Sequence, residues 1–430
     1  MTQSTYIPVE HLQPGLYIDL ELNWTEHPFL FRSFTLKNDA EIDQIKKLGL
    51  RKVKVLVHKS SGKVVKAVLE KGNKVPEREQ VATLLDSDDE VDEVLSELWQ
   101  EKKRSLDKAR DFRRERIKTE QQYHETQKRV NTLIRDLKSA PANAVRDASE
   151  VIEHISAQVE EEPSIVVSLV SLTNNEFTAS SHAINVTILT MALAKSLGLP
   201  ARDISLVGLA SILHDVGKAL LPPAVTDKKT PLTEAEEKIM ETHVEKGAFL
   251  LEHLNIVPEE VVNMIAHHHV FLDGTGYPES ATNAELSHLT RILQVANQYD
   301  TLCNPHHETE SQSPKTAMAN LYSNFKGKLD NTYVQLFVRN FGVYPPGTIV
   351  LLSDESIALV SACNSDDLLN PTVIIFNPDI PAKQALMLNL AEYPELSITK
   401  ALNRNEYTQE IKDYLGGDFR IGLFFSQSTS

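Results

Sequence analysis

At 430 residues the chain is too long for one ordinary domain; about 150 residues per domain gives two to four units. A composition of 41% hydrophobic and 24% charged residues excludes wholesale disorder and a fibrous fold. The formal net charge of −16 argues against a nucleic-acid polymer or an anionic membrane as partner, since both want a basic face.

Only two cysteines, Cys303 and Cys363, are present, which excludes a disulfide scaffold and fits a reducing compartment. The start, MTQSTYIPVEHLQPG, lacks a basic stretch followed by an apolar one, so no signal peptide is expected. No apolar run approaches the roughly 18 residues of a membrane span. These features predict a cytoplasmic, multidomain, acidic protein.

Residues 1–60 read as a small α/β domain. YIPVEHLQPGLYIDLEL alternates apolar and polar residues around Pro14-Gly15, which predicts strand, turn and strand. FLFRSFTL is another strand candidate, AEIDQIKKLGL a short helix stopped near Gly49, and KVKVLVH a final strand. Residues 61–138 switch to charged helix formers with no proline between Pro76 and Pro141, which predicts a long solvated linking helix.

Residues 139–340 carry apolar residues at helical spacing in seven segments, DASEVIEHISAQV, SIVVSLVSL, AINVTILTMALAKSLGL, ISLVGLASILHDVGK, EAEEKIMETHVEKGAFLLEHL, EEVVNMIAHHHV and HLTRILQVANQYDTL. An all-helical domain with a sizeable core follows. In residues 341–430, the runs TIVLLSDESIALVSAC and PTVIIFNP predict a hairpin or small sheet, followed by a helix and an undistinguished tail.

Histidine is concentrated in the helical domain, where ten of the fifteen fall between 182 and 307. Imidazole is the commonest transition-metal ligand, so this clustering suggests a metal site built from facing helices. The missing cysteine pairs exclude a zinc finger. His214-Asp215 ends an apolar helix, and Lys218 follows one turn on, on the same face. A nitrogen ligand, a bridging carboxylate and a cation aimed at phosphate are what metal-assisted phosphoester hydrolysis requires. The pair His268-His269 would repel itself when protonated, and a metal would hold it neutral. His243 has Gly247 one turn later, which permits close helix approach. His182, taken alone, reads equally as a ligand or as a helix-end histidine.

His214-Asp215-Val216-Gly217-Lys218, then His243, His268-His269 and Asp273-Gly274-Thr275-Gly276-Tyr277-Pro278 resemble, in order and spacing, the motifs of the HD-GYP family. That family is the bacterial branch of the HD metal-dependent phosphohydrolases, and the first 60 residues resemble a small domain of unknown role that often precedes it. The resemblance implies a mainly α fold: an all-helical HD-type core with a small α/β N-terminal domain and a short β-rich C-terminal extension. It implies a cyclic dinucleotide substrate, cyclic di-GMP or a relative, opened to pGpG or GMP with two divalent transition-metal ions, iron or manganese. It further implies His182, His214, Asp215, His243, His268, His269 and Asn297 as metal ligands, with Asp215 as bridge. Asp215 and Lys218 carry the catalytic roles, Lys218 contacting the substrate phosphate. Other signalling proteins and a second copy of the chain are the remaining candidate partners.

Four departures stand against the family pattern. Asn297 occupies the position of an aspartate ligand, so a neutral amide oxygen replaces a carboxylate there, with Asp300 as the alternative. Val270-Phe271 stands in place of Glu-Arg, and Asn304-Pro305-His306-His307 in place of an arginine-rich stretch. Thr178 stands one turn before His182, where a glutamate would support a third metal, and Glu176 is out of register. A degenerate module that binds a nucleotide or protein without turnover is the alternative, and a hydrolase for a different nucleotide the third reading.

Overall fold

The computed structural model describes residues 4–22, 26–29, 32–61, 64–65, 88–137, 139–160, 166–171, 178–228, 230–281, 285–305, 311–364, 366–378, 380–382, 385–394, 396–415 and 421–426. Cα packing divides the chain into two compact units, residues 1–110 with 377–386, and residues 111–376 with 387–430.

The first unit contains an antiparallel sheet of order β1-β4-β2-β3, formed by Ser4–Pro8 (β1), Tyr17–Asp19 (β2), Ser33–Thr35 (β3) and Lys52–Leu56 (β4). Strand alternation points Ile18, Val53 and Val55 inward, where they meet Ile42 and Ile45 of helix α1 (Asp39–Lys47). Asn38 caps α1 by accepting from the Glu41 amide, and Gly49 ends it at a φ of +73°. Pro14-Gly15 is a turn between β1 and β2, as its residue types require. Helix α2 (Asp88–Asp136) falls in the segment expected to be one long helix, and the part of that expectation on residues 66–87 lies outside the described residues. In the first unit's part of α2, Lys102 Nζ donates to the His27 carbonyl at 2.8 Å. The His27 imidazole is buried, and neither ring nitrogen has a hydrogen-bond partner among the described residues.

The second unit is built mainly of helices: α3 (Pro141–Glu160), α4 (Ala179–Ser196), α5 (Ala201–Leu213), α6 (Pro223–Thr226), α7 (Glu234–Glu241), α8 (His243–Leu254), α9 (Glu259–His267), α10 (His288–Cys303), α11 (Pro314–Ser323) and α12 (Asn331–Phe341). Helix α4 is the axis of this core. From His182 to Ala194 every one of its residues is buried, so it is wrapped by neighbours on every side. α5 and α10 pack on it, and Gly208 permits the α5 approach, because a Cβ there would fall 2.8 Å from Met191 Sδ.

The helical reading of SIVVSLVSL is corrected. Val166–Ser171 is strand β5, paired antiparallel with Ile421–Ser426 (β11), so the tail is not undistinguished. The run VVSLVS is rich in β-branched residues, and its partner lies some 250 residues away in the chain, where local periodicity has no reach. The predicted hairpin Ile349–Leu352 (β6) and Ile357–Ala362 (β7) forms, and grows into a five-stranded antiparallel sheet of order β10-β6-β7-β8-β9. The added strands are Thr372–Ile375 (β8), Met387–Asn389 (β9) and Ile398–Ala401 (β10); helix α13 (Gln409–Leu415) follows them. The chain is thus mainly helical, with small sheets towards both ends. No helix among the described residues is long and apolar enough to cross a membrane.

Candidate metal centre

Four helix ends in the second unit converge. α5 stops at Leu213, and His214 is its C-cap; Asp215 follows and Val216–Leu220 forms a 3-10 turn that carries Lys218. α7 ends before His243, the first residue of α8, while α9 ends on His267 with His268 as its C-cap. His182 lies in the first turn of α4, which begins with a capping box between Thr178 and Ser181.

These side chains form two trios, His182/His214/Asp215 and His243/His268/His269, each offering one ligand atom per residue within 4.8 Å of the others. Asp215 joins them. Its Oδ2 lies 3.4 Å from His214 Nε2 and 3.7 Å from His182 Nε2, and its Oδ1 lies 3.1 Å from His243 Nε2. The junction depends on a close approach. A Cβ on Gly217 would lie 1.8 Å from the His243 carbonyl oxygen, whereas one on Gly247 would lie 3.1 Å from the Gly217 nitrogen. Only a glycine at 217 lets the turn after Asp215 lie against the start of α8.

The ring nitrogens have defined roles. His214 Nδ1 faces the Ser211 carbonyl at 2.6 Å, His243 Nδ1 the Met240 carbonyl at 2.6 Å, and His268 Nδ1 the Ile265 carbonyl at 2.7 Å. A carbonyl only accepts, so each Nδ1 donates and each neutral ring turns the Nε2 lone pair inward. Carbonyls in the last turn of a helix lack an intrahelical partner, which is why these three imidazoles sit just past helix ends. His182, in a first turn, has no such carbonyl. Its Nδ1 instead meets Asp300 Oδ2 at 2.6 Å, reached from α10.

The inward lone pairs face one another. His214 Nε2 and His182 Nε2 are 3.2 Å apart, and His243 Nε2 and His268 Nε2 are 3.4 Å apart. With every Nδ1 already donating, these contacts and the one from His243 to Asp215 Oδ1 set lone pair against lone pair. Two ligands bound at about 2.1 Å with angles between 90° and tetrahedral lie about 3.0–3.4 Å apart, so the spacing fits a shared cation. Buried Asp215 Oδ1 and Asn297 Oδ1 have no hydrogen-bond donor among the described residues, as acceptors awaiting a cation would. The residues fit a metal centre.

Electrostatics agrees. Burial lowers the pKa of His214, and of His268 and His269 well below the ordinary value, so the free rings are neutral ligands near pH 7. Burial alone would raise Asp215. The surrounding histidines and the Lys218 ammonium outweigh burial and hold the carboxyl well below the usual range. Lys218 Nζ donates to Asp215 Oδ2 at 2.6 Å. Tyr277 stacks on His269, with ring centroids 4.5 Å apart, and the Tyr277 amide donates to the His269 carbonyl. A bridge between Val270 and Gly276 closes this loop, whose Gly276 has a φ of +96°.

Of the expected ligands, six meet in the two trios, joined through Asp215. Asn297 is buried on α10, one turn before Asp300. Asp300 Oδ2 meets the ring of His182, one of the expected ligands. The sequence reading missed Asn185, which donates to Asp300 Oδ1 at 3.0 Å, and Tyr123, whose hydroxyl donates to Asn185 Oδ1 at 3.1 Å. Asn185 was visible as an amide one turn after His182 in an apolar helix; Tyr123 carried no local signal. His306, His307 and Glu176 lie outside the described residues.

Comparison with known proteins agrees with this geometry. The HD domain family matches residues 164–333, and the domain of unknown function DUF3391 matches residues 4–148. The chain thus carries an HD domain together with a DUF3391 region. The chain is 27% identical over 372 residues to the cyclic di-GMP phosphodiesterase PA4108 of Pseudomonas aeruginosa, covering 86% of this chain and 84% of that protein. It is 32% identical over 123 residues to the 3'3'-cGAMP-specific phosphodiesterase 3 of Vibrio cholerae, covering 29% and 26% of the two. Among solved structures, Bd1817, an HDG"Y"P protein from Bdellovibrio bacteriovorus, matches at 16% identity and a TM-score of 0.41, covering 78% of this chain and 98% of that one.

Proposed function

We propose that the chain is a metal-dependent phosphodiesterase that hydrolyses cyclic di-GMP, giving pGpG or GMP. The observation that carries this reading is the opposed lone pairs of four imidazoles, His182, His214, His243 and His268, around the Asp215 carboxylate. His182, His214 and Asp215 would hold one divalent transition-metal ion, His243, His268 and His269 the other, with Asp215 shared and Asn297 as a neutral further ligand. Iron or manganese suits such a nitrogen-rich set with one carboxylate. Two such ions supply Lewis acidity and an activated water for phosphodiester cleavage.

The chain's own residues do the rest. The carbonyl bonds from Nδ1 and the Asp300 contact orient four of the five rings before any ion arrives, so little ordering remains to be done there. Lys218 balances the Asp215 charge and, with three N–H donors and one engaged, has donors left for a phosphate oxygen. Tyr277, packed on His269, walls the site with an aromatic face. Relatives named for cyclic di-GMP and for 3'3'-cGAMP support the cyclic dinucleotide class, and the long match to PA4108 favours cyclic di-GMP within it. Both cysteines are free thiols, in keeping with a reducing cytoplasm.

Elemental analysis of the purified chain, paired with a chromatographic assay for pGpG and a cGAMP comparison, tests the proposal. About two transition-metal ions per chain and pGpG release are expected, with both lost in Asp215→Ala. A protein that retains no ion after incubation with manganese, or a D215A variant of normal activity, would sink it.

A further inference from the structure

We infer that Tyr123, on the helix that enters the second unit, is a positioning residue for the His182 side of the metal centre. Tyr123 OH lies 3.1 Å from Asn185 Oδ1, Asn185 Nδ2 lies 3.0 Å from Asp300 Oδ1, and Asp300 Oδ2 lies 2.6 Å from His182 Nδ1. All four side chains are buried.

The donors and acceptors in this series admit one arrangement. A carboxylate only accepts, so Asn185 must turn its NH2 towards Asp300, and its carbonyl oxygen then faces away, towards Tyr123. The tyrosine hydroxyl satisfies that oxygen and so locks the amide against flipping. A flipped amide would set its oxygen against the Asp300 carboxylate. Asp300 in turn is held by two amides on Oδ1, the second being Asn304 Nδ2 at 2.9 Å, which leaves Oδ2 for His182.

The same helix grips the start of α4 a turn later, where Gln127 Nε2 meets Thr178 Oγ1 at 3.3 Å. That contact engages the hydroxyl of the α4 cap, one turn before His182. Two residues four apart on α2 therefore hold the one ligand-bearing helix whose histidine has no terminal carbonyl of its own. Of the two trios, only the one containing His182 is tied to α2 through this series.

The inference rests on the two-metal reading above. Manganese titration of the full chain by calorimetry separates the two. In Tyr123→Phe, which removes one oxygen, the His182-side ion should bind about 3- to 10-fold more weakly, less than the 10–100-fold typical of losing a direct orienting partner, while the other ion is unaffected. Asp300→Asn should weaken the same ion by roughly 10–100-fold, and Y123F added to D300N should cost less than about 2-fold more. Asn185→Asp, which sets like charges together, should weaken that ion too and serves if Y123F does not fold. Wild-type affinity at both ions in Y123F, or equal weakening of both, overturns the positioning role. A wild-type chain that binds no manganese overturns the metal reading itself.

Discussion

Replacing Gly217 with Ala tests whether the two trios must be held together by the close packing of the turn on α8. The added Cβ would sit 1.8 Å from the His243 carbonyl oxygen, against a closest ordinary approach of 3.0 Å, so the turn and the start of α8 must part by about 1.2 Å. Metal sites tolerate ligand displacements of about 0.2 Å, so this shift is several times too large for Asp215 and His243 to share an ion. Overpacking of this kind costs about 1–3 kcal/mol, or a fall in Tm of about 2–10 °C for a unit of this size. The larger effect is expected on the ions: at least about 100-fold weaker manganese binding, or 2.7 kcal/mol and more. Gly247→Ala is the internal control. Its Cβ would lie 3.1 Å from the Gly217 nitrogen, a crowding that small shifts relieve, and alanine improves helix propensity by up to about 1 kcal/mol. Metal content and thermal melts of both variants, with and without manganese, decide the matter. A G217A chain that keeps two ions at wild-type affinity would refute the claim that this contact sets the bridge.

Gly276→Ala should weaken the His243/His268/His269 ion more than its neighbour, because the new Cβ would lie 2.0 Å from the His269 carbonyl oxygen and φ is +96°; separate manganese affinities at the two sites report it. Asn297→Asp should act in opposite directions. Without metal, a buried unpaired carboxylate lowers Tm, while with manganese the added charge tightens binding; unchanged affinity would remove Asn297 from the ligand set. His27, away from the metal centre, predicts an acid dependence of the first unit. Burial first, and then Lys102, lower its pKa from 6.5 to about 4. Between those values the unfolded chain binds more protons, so stability is full above pH 6.5 and falls as pH drops towards 4, by about 2–3 kcal/mol. Urea denaturation across that range should reveal the slope, and His27→Phe should flatten it.

Much of the site was legible because its chemistry is written locally. Each of His214, His243 and His268 stands just past a helix stop, where a last-turn carbonyl fixes Nδ1, so ligand identity and helix boundary are one signal. The glycine that matters most was present in the same motif, at 217, although spacing alone pointed to 247. Illegible were the features whose cause lies far along the chain. Asp300 acquires its role only because α10 packs on α4, and Asn185 needs Tyr123 from 62 residues earlier to fix its amide. β5 failed for the same reason, since its six residues are satisfied by a strand at the other end of the chain.

The departures from the family pattern have a common electrostatic consequence. Formal charges at the centre are two negative, from Asp215 and Asp300, and one positive, from Lys218. With two divalent ions bound, the net local charge would be three positive, in a chain whose overall charge is −16. An aspartate at 297 would reduce that excess by one and hold the ions more tightly; the amide does the opposite. On the proposed function, a cyclic dinucleotide with its two phosphate charges would meet no arginine-rich stretch, and the centre itself would supply the attraction. Asn297 would then trade metal affinity for a stronger positive field. On this argument N297D should raise KM for cyclic di-GMP even as it tightens manganese, and the rise should shrink as salt screens the charges.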